Sequence, residues 1–125
     1  MVRLADPETE PVIDWCQANS ERNAFDKDVM SYPGTKVLAS HKDETVSVYL
    51  PVQPVAMLES VGSNPNASQL EITGGLIEAV KGACLLAYAA DHREVYFLSS
   101  DELTAKGAEL LGFVPLPYTV YRKKL

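Results

Sequence analysis

The chain has 125 residues, of which 46% are hydrophobic and 22% are charged, as in an ordinary globular protein. This length allows one domain with a core, but not two, so residues 1–125 are predicted to form a single domain. The 17 Asp and Glu residues outnumber the 11 Lys and Arg residues, which gives a net charge of −6. A negative surface argues against non-specific binding to nucleic acid or to anionic membranes.

Export, membrane insertion and metal binding are not predicted. The segment Met1–Pro11 lacks the apolar stretch of a secretory signal, and the longest apolar run, Ala83–Ala90, is far shorter than the roughly 20 residues of a membrane span. Cys16 and Cys84 each lie among apolar residues at helical spacing, which favours buried, reduced thiols over a disulfide. Neither histidine belongs to a metal-ligand pattern. We therefore expect a cytoplasmic protein.

In the first third of the chain, the sequence predicts a strand followed by one or two helices. Val2–Asp6 is short and alternating, as in a strand. Pro7 and Glu8 then begin a helix that continues at helical spacing to about Ala18, with acidic residues in its first turn. Asn23–Gly34 has room for one more short helix before its Pro-Gly pair interrupts it.

Two strands are predicted next, around the polar turn His41–Asp43. Thr35–Lys42 is the first and Glu44–Val52 is the second. In the second strand, Val46, Val48 and Leu50 alternate with polar residues, which is typical of a half-buried strand with these valines and leucine on its inner face.

The remaining chain predicts a strand–helix–strand unit, a capped helix and a final strand. Val55–Val61 is apolar throughout, which suggests a central strand covered on both faces. The following helix, Leu76–Tyr88, has an apolar face that should pack on a sheet. Arg93–Ser100 follows without a hairpin turn and is predicted to run parallel to the earlier strand. Ser100–Gly112 is a helix that ends at a glycine, and Phe113–Leu125 alternates as a last strand.

The start of the long helix, within Ser63–Val80, has two interpretations. In the first, Ser68 and Glu71 form a capping box, and Gly74 and Gly75 lie inside the helix at a cost of about 1 kcal/mol each. In the second, the glycines let the backbone approach a phosphate at the helix N-terminus, where free amides and the helix dipole attract anions.

Two segments are similar to those of one known family. Val2–Trp15 has the family's opening strand and acidic helix entry, and Val95–Phe113 has its strand, polar junction, short helix and closing Gly-Phe pair. With the order of elements, they resemble the GCN5-related N-acetyltransferases, the GNAT superfamily. The resemblance implies an α+β, three-layer fold. Its mixed, mostly antiparallel sheet would contain a central parallel βαβ pair flanked by helices, with a crevice at the carboxyl ends of the parallel strands.

The resemblance also implies an acetyl-CoA site between the two parallel strands. The backbone of Met57 and Leu58 would bind the pantetheine arm, and Ser99 would face the cofactor or simply cap the next helix. The pyrophosphate would lie on the turn entering the long helix, at residues Gln69, Thr73, Gly74 and Gly75. The family pattern there is Arg or Gln, two residues, Gly, one residue, then Gly or Ala. Gln69 and Gly74 match it, and Ile72 replaces the middle glycine.

Acetyl transfer to an amine requires a base, donors to the thioester carbonyl and an acid for the thiolate. Glu59 is the candidate base, although a solvated carboxylate or an ion pair is the alternative. The family's acidic tyrosine, five residues before the Gly-Phe phenylalanine, falls at Ala108. Tyr118 is the candidate substitute, with strand packing as its alternative.

Two functions follow from the resemblance. The first is an N-acetyltransferase that moves acetyl from acetyl-CoA to a primary amine, on a small molecule or a protein lysine, with the acidic surface favouring a cationic acceptor. The second is a non-catalytic GNAT-like protein-interaction module, favoured by the incomplete glycine pattern and by Ala108. Minimal chains of this kind are familiar in tailed bacteriophages, so a virion-associated or host-directed protein, or a homo-oligomer, is one form of it.

Overall fold

The structure is a computed structural model and describes residues 1–21 and 24–125. The described residues form a mixed α+β protein, as predicted. Its elements in chain order are β1 (Val2–Ala5), α1 (Val12–Ala18), a 3-10 helix (Lys27–Ser31), β2 (Lys36–Lys42), β3 (Thr45–Val52), β4 (Ala56–Leu58), α2 (Gln69–Ala89), β5 (Val95–Phe97) and α3 (Glu102–Leu110). The 3-10 helix is the short helix predicted before Pro33; the start of that prediction, Asn23, lies outside the described residues.

The first three strands form an antiparallel sheet in the order β1-β2-β3. Leu38 lies opposite both Leu4 of β1 and Leu50 of β3, so the three residues cross the sheet on one face. The predicted polar turn lies slightly later than expected, because β2 extends to Lys42 and β3 begins at Thr45. Asp43 takes the positive φ of 54° that the tight turn requires.

Helix α1 covers the other face of this sheet, where Val12, Val37 and Ala39 are buried. The Trp15 and Tyr49 rings, 5.0 Å apart, join α1 to β3. The predicted helix start at Pro7 is wrong, since α1 begins at Val12.

The residues before α1 form a turn because other groups satisfy their amides. The Asp6 carboxylate accepts from the amide of Glu8, and the Asp6 carbonyl accepts from the amide of Glu10. Pro11, which has no N–H to donate, then stands at the N-cap of α1.

A polar cluster around Glu10 fastens this turn to the sheet. The Glu10 carboxylate accepts from both Arg3 guanidinium nitrogens, at 2.9 and 2.6 Å, from the Asp6 amide at 2.9 Å and from the Tyr49 hydroxyl at 3.1 Å. The hydrogen bonds from Arg3, followed by the one from the Asp6 amide, lower the pKa of Glu10 from 4.5 to about 2. The Glu10 carboxylate therefore stays ionised, and paired with Arg3, well into acid.

The predicted inner face of β3 is wrong beyond a β-bulge. His41 pairs with Val46 and Ser40 pairs with Val48, so Ser47 is an extra residue in β3. Such a residue changes which face the following side chains take. Val46 is half-buried as predicted, but Val48 and Leu50 are exposed, and Tyr49 faces α1 instead.

Strands β4 and β5 are parallel, as predicted, but they form a separate two-stranded sheet. The prediction of one mixed sheet with a central strand over Val55–Val61 is therefore wrong. The observed strand covers Ala56–Leu58, and its Met57 side chain is exposed rather than covered. Pro54 limits the strand at its start because it cannot donate a ladder hydrogen bond.

The C-terminal segment departs most from prediction. Helix α3 ends as expected, with Gly112 at φ 88° and the Phe113 amide donating to the Ala108 carbonyl. The predicted strand over Phe113–Leu125 is wrong, since the described residues after α3 form neither helix nor strand. Pro115 and Pro117 remove two backbone donors there, and the neighbouring β5 is only 3 residues long.

Candidate functional site

The start of α2 is a complete capping box. The Ser68 hydroxyl accepts from the Glu71 amide at 3.2 Å, and the Glu71 carboxylate accepts from the Ser68 amide at 2.9 Å. The helix begins at Gln69, so Gly74 and Gly75 lie inside it, and the Thr73 hydroxyl donates to the Gln69 carbonyl at 2.9 Å. The structure thus has the capped helix start.

This helix start does not fit a pyrophosphate. The amide of the N-cap residue Ser68 and the amide of Glu71 are already bonded within the box, and the Glu71 carboxylate lies in the first turn of α2. A bound phosphate there would be repelled by that carboxylate. The four residues predicted to hold the pyrophosphate are exposed on the first two turns of α2: Gln69, Thr73, Gly74 and Gly75.

The carboxyl ends of β4 and β5 do lie side by side. Met57 pairs with Tyr96, and Leu58 pairs with Phe97, where the pairing ends. Glu59 follows Leu58 outside the ladder and is exposed.

Ser99 follows β5, and its position has a local structural reason. Its hydroxyl accepts from the Asp101 amide at 3.1 Å, and the Asp101 carboxylate in turn accepts from the Thr104 amide at 2.9 Å and the Thr104 hydroxyl at 2.6 Å. The hydrogen bonds from the Thr104 hydroxyl and then from the Thr104 amide hold the pKa of Asp101 below its usual range. Ser99 therefore bonds the residue that caps α3, and Asp101 rather than Ser99 is the N-cap.

An open cleft of about 1000 Å³ lies beside β5, between the end of α2, helix α3 and the C-terminal segment. Of the predicted site residues, Ser99 and Tyr118 line this cleft. The other predicted site residues do not line it: Met57, Leu58, Glu59, Gln69, Thr73, Gly74 and Gly75. Ala108 lines the cleft, and the Phe97 and Phe113 rings meet edge to face at 5.1 Å. The candidate base and candidate acid are thus not brought into one site by the described residues.

A polar group at the start of β5 was not predicted. The Gln53 amide and the Tyr96 hydroxyl, at 3.1 Å, both donate to the Glu94 carboxylate. Burial, followed by this hydrogen bond, raises the pKa of Tyr96. The group joins the end of β3 to β5. Within residues 1–21 and 24–125, no group of three or more His, Cys, Asp or Glu side chains is arranged to hold a metal ion.

Helix α2 has an exposed apolar surface. The prediction that one apolar face packs on a sheet is only partly met, since Ala87 is the buried residue of this helix. We call the exposed side chains of Leu70, Ile77, Leu85 and Tyr88 the helix surface. Their spacing of seven, eight and three residues places them along one side of the helix. The Arg93 guanidinium lies over the Tyr88 ring at its end, at 4.4 Å.

A second apolar surface lies on the antiparallel sheet, opposite α1. The strand register brings six apolar side chains onto this face, beside Lys36 and Ser40, and all six are exposed except Leu38, which is half-buried. We call them the sheet surface: Val2, Leu4, Leu38, Val48, Leu50 and Val52. The sequence carried a signal for it in the alternation of Val2 and Leu4 in β1, which matches that of the valines in β3.

Helix α2 is also long and apolar enough, by length and composition, to cross a membrane. It carries Glu78 and Lys81 on either side of its midpoint, however. A charged side chain at the centre of a membrane helix costs about 2.5–3.5 kcal/mol. An apolar protein surface, at which such side chains can reach water, is the less costly environment.

Comparison with known proteins gives no match: no family model, no curated protein and no solved structure is significantly similar to this chain.

Proposed function

We propose that this chain is a GNAT-like protein-interaction module. The observation that carries the proposal is the pair of exposed apolar surfaces on α2 and on the antiparallel sheet. A helix that is apolar nearly all round is normally buried, and α2 has only Glu71, Glu78 and Lys81 as charged residues. Large exposed apolar patches mark contacts with another macromolecule. The partner that fits is an apolar protein surface.

The GNAT-like arrangement is part of this proposal. It is supported by the order of elements, by the antiparallel β1-β2-β3 sheet and by the parallel β4–β5 pair joined through α2. Under this proposal the capping box at Ser68 and Glu71 takes the place of the family's phosphate-binding turn.

A second candidate function is the N-acetyltransferase. It is favoured by the parallel β4–β5 pair, because Glu59 follows the last paired residue of β4 at the carboxyl end of that pair. Under this hypothesis acetyl-CoA supplies the acetyl group, and Glu59 receives a proton from a primary amine. The poor fit of the α2 start to a pyrophosphate counts against it.

Thermal unfolding with acetyl-CoA separates the two functions. The interaction module is expected to show no change in melting temperature at millimolar acetyl-CoA or CoA, because a ligand stabilises only the state that binds it. A rise in melting temperature would contradict the proposal. In that event Gly74→Glu should abolish the rise and Gly107→Glu should not, since both glycines lie inside helices with open space around them.

A further inference from the structure

We propose that the partner is a second copy of this chain, bound in a two-fold dimer in which the helix surface of each protomer packs on the sheet surface of the other. This inference rests on the proposed function and names its partner. Among the described residues, each chain exposes an apolar surface on α2 and another on the antiparallel sheet. A reciprocal arrangement uses each of these two surfaces once and closes with two-fold symmetry.

The exposed area of the chain is large enough to supply the interface of a stable dimer. The chain exposes 10257 Å². A folded monomer of 13.7 kDa exposes about 6,600 Å², so this chain exposes roughly 3,700 Å² more than its mass requires. Obligate homodimers bury about 2,000–5,000 Å² in total, or about half of that on each chain. A dimer interface of ordinary size therefore fits within the excess.

The two surfaces also match in dimensions. Helix α2 has 21 residues, which corresponds to a length of about 31 Å and a width of about 10–12 Å with side chains. Three strands at about 4.8 Å spacing make a face of similar width, and the longest strand, β3, has 8 residues or about 27 Å. One helix is therefore enough to cover the sheet surface.

The charges favour a protein rather than a lipid occupant. Glu78 and Lys81 lie near the middle of α2, where a membrane would leave them without water. The net charge of −6 also repels anionic lipid headgroups. At a dimer interface the Lys81 stem can lie along apolar neighbours while its ammonium reaches solvent.

Molar mass measured by light scattering after gel filtration tests the dimer, with one charged substitution on each surface. The wild type should have a mass near 27.4 kDa, twice the 13.7 kDa of the chain. Leu50→Glu alters the sheet surface and Leu85→Lys alters the helix surface. Each substitution affects both contacts of a two-fold dimer, so each should weaken dimerisation at least about 100-fold and yield monomers.

Mixing the two variants is the decisive step. A heterodimer of Leu50→Glu with Leu85→Lys has one wild-type helix–sheet contact, and its other contact pairs opposite charges. The mixture should therefore recover dimers that neither variant forms alone. A helix–helix dimer would not recover, because the Leu85→Lys chain would still contribute its altered helix.

The controls are apolar-to-charged substitutions at equally exposed sites off both surfaces. Val61→Glu, at a side chain that is 63% exposed, matches Leu50→Glu, at 57%. Leu103→Lys, at 78%, matches Leu85→Lys, at 73%. Both controls should remain dimers. Far-UV circular dichroism checks folding, and Val48→Glu with Leu70→Lys repeats the test on the same surfaces if either first variant is unfolded.

A monomeric wild type, dimers that survive both substitutions, or a mixture that recovers no dimer would overturn the inference. Monomers that bind neutral phosphatidylcholine vesicles would instead assign α2 to a membrane, and overturn it too. If the wild type is monomeric and acetyl-CoA does not change its melting temperature, the partner is not a second copy of the chain, but the proposed interaction function is retained. If acetyl-CoA raises the melting temperature, the proposed interaction function itself is contradicted.

Discussion

Val12 offers the most direct test of the N-terminal core. Its side chain is fully buried where α1 covers the antiparallel sheet. Val12→Ala removes two methyl groups, which corresponds to about 1.6 kcal/mol at about 0.8 kcal/mol for each buried carbon. The cavity left beside the rigid sheet adds to this. We expect the free energy of unfolding to fall by about 2–3 kcal/mol.

Urea denaturation at one fixed protein concentration measures this change. With a slope of about 1–3 kcal/mol per molar for small proteins, the urea midpoint should fall by roughly 1 M while the slope stays unchanged. Val61→Ala makes the same chemical change at an exposed side chain and should alter the free energy by less than about 0.5 kcal/mol. If Val12→Ala costs no more than Val61→Ala, the packing of α1 on the sheet is not what stabilises this part of the chain.

Four other changes test local features. The pKa of Glu10 is lowered from 4.5 to about 2, so its contacts stabilise the fold above pH 4.5, and this stabilisation is lost as the pH falls toward 2. The melting temperature of the wild type and of the control Glu8→Gln should show this loss. The melting temperature of Glu10→Gln should not show it. Ser68→Ala should lower the free energy of unfolding by about 1 kcal/mol, and an unchanged urea midpoint would argue against the capping box. Gly107→Ala, inside α3, should raise it by about 1 kcal/mol. Gly112→Ala, at φ 88°, should lower it by about 1–2 kcal/mol, and equal signs for the two glycine variants would contradict the assigned end of α3.

Helix ends were predictable because their signals are local. The capping box at Ser68 and Glu71, the N-cap at Asp101 and the glycine at Gly112 each involve residues within a few positions along the chain. The start of α1 was mispredicted because the sequence has two prolines at which a helix could begin. Pro7 and Pro11 both suit a helix start, and the contacts of Glu10 with Arg3 and Tyr49, distant in sequence, select the second.

Sheet partners were less predictable because they depend on distant residues. The parallel direction of β4 and β5 followed from the helix between them, but their separation from β3 did not. The face of β3 was mispredicted because one extra residue, Ser47, interrupts the alternation, and its effect is visible only against the register of β2. The two prolines of the C-terminal segment were visible in the sequence, and its alternating apolar pattern was given too much weight.

The candidate site was likewise predictable only in part. The position of Glu59 and Ser99 at the strand ends was predictable from the βαβ connection. What Ser99 contacts was not, because its bond to the Asp101 amide depends on the local backbone geometry rather than on the βαβ connection. The acetyl-CoA hypothesis therefore depends on a thermal shift measurement rather than on the glycine pattern.

The apolar content of the chain is ordinary, whereas its distribution in the fold is not. A composition of 46% hydrophobic residues fits a complete core, yet much of the apolar surface lies on α2 and on the sheet face opposite α1. Composition is the same whether such residues are buried within one chain or between two chains. The register of β1, β2 and β3 separates these cases, because it places Leu4, Leu38 and Leu50 together on a face where the described residues leave Leu4 and Leu50 exposed. A helix from a second protomer would bury this face and α2 at the same time.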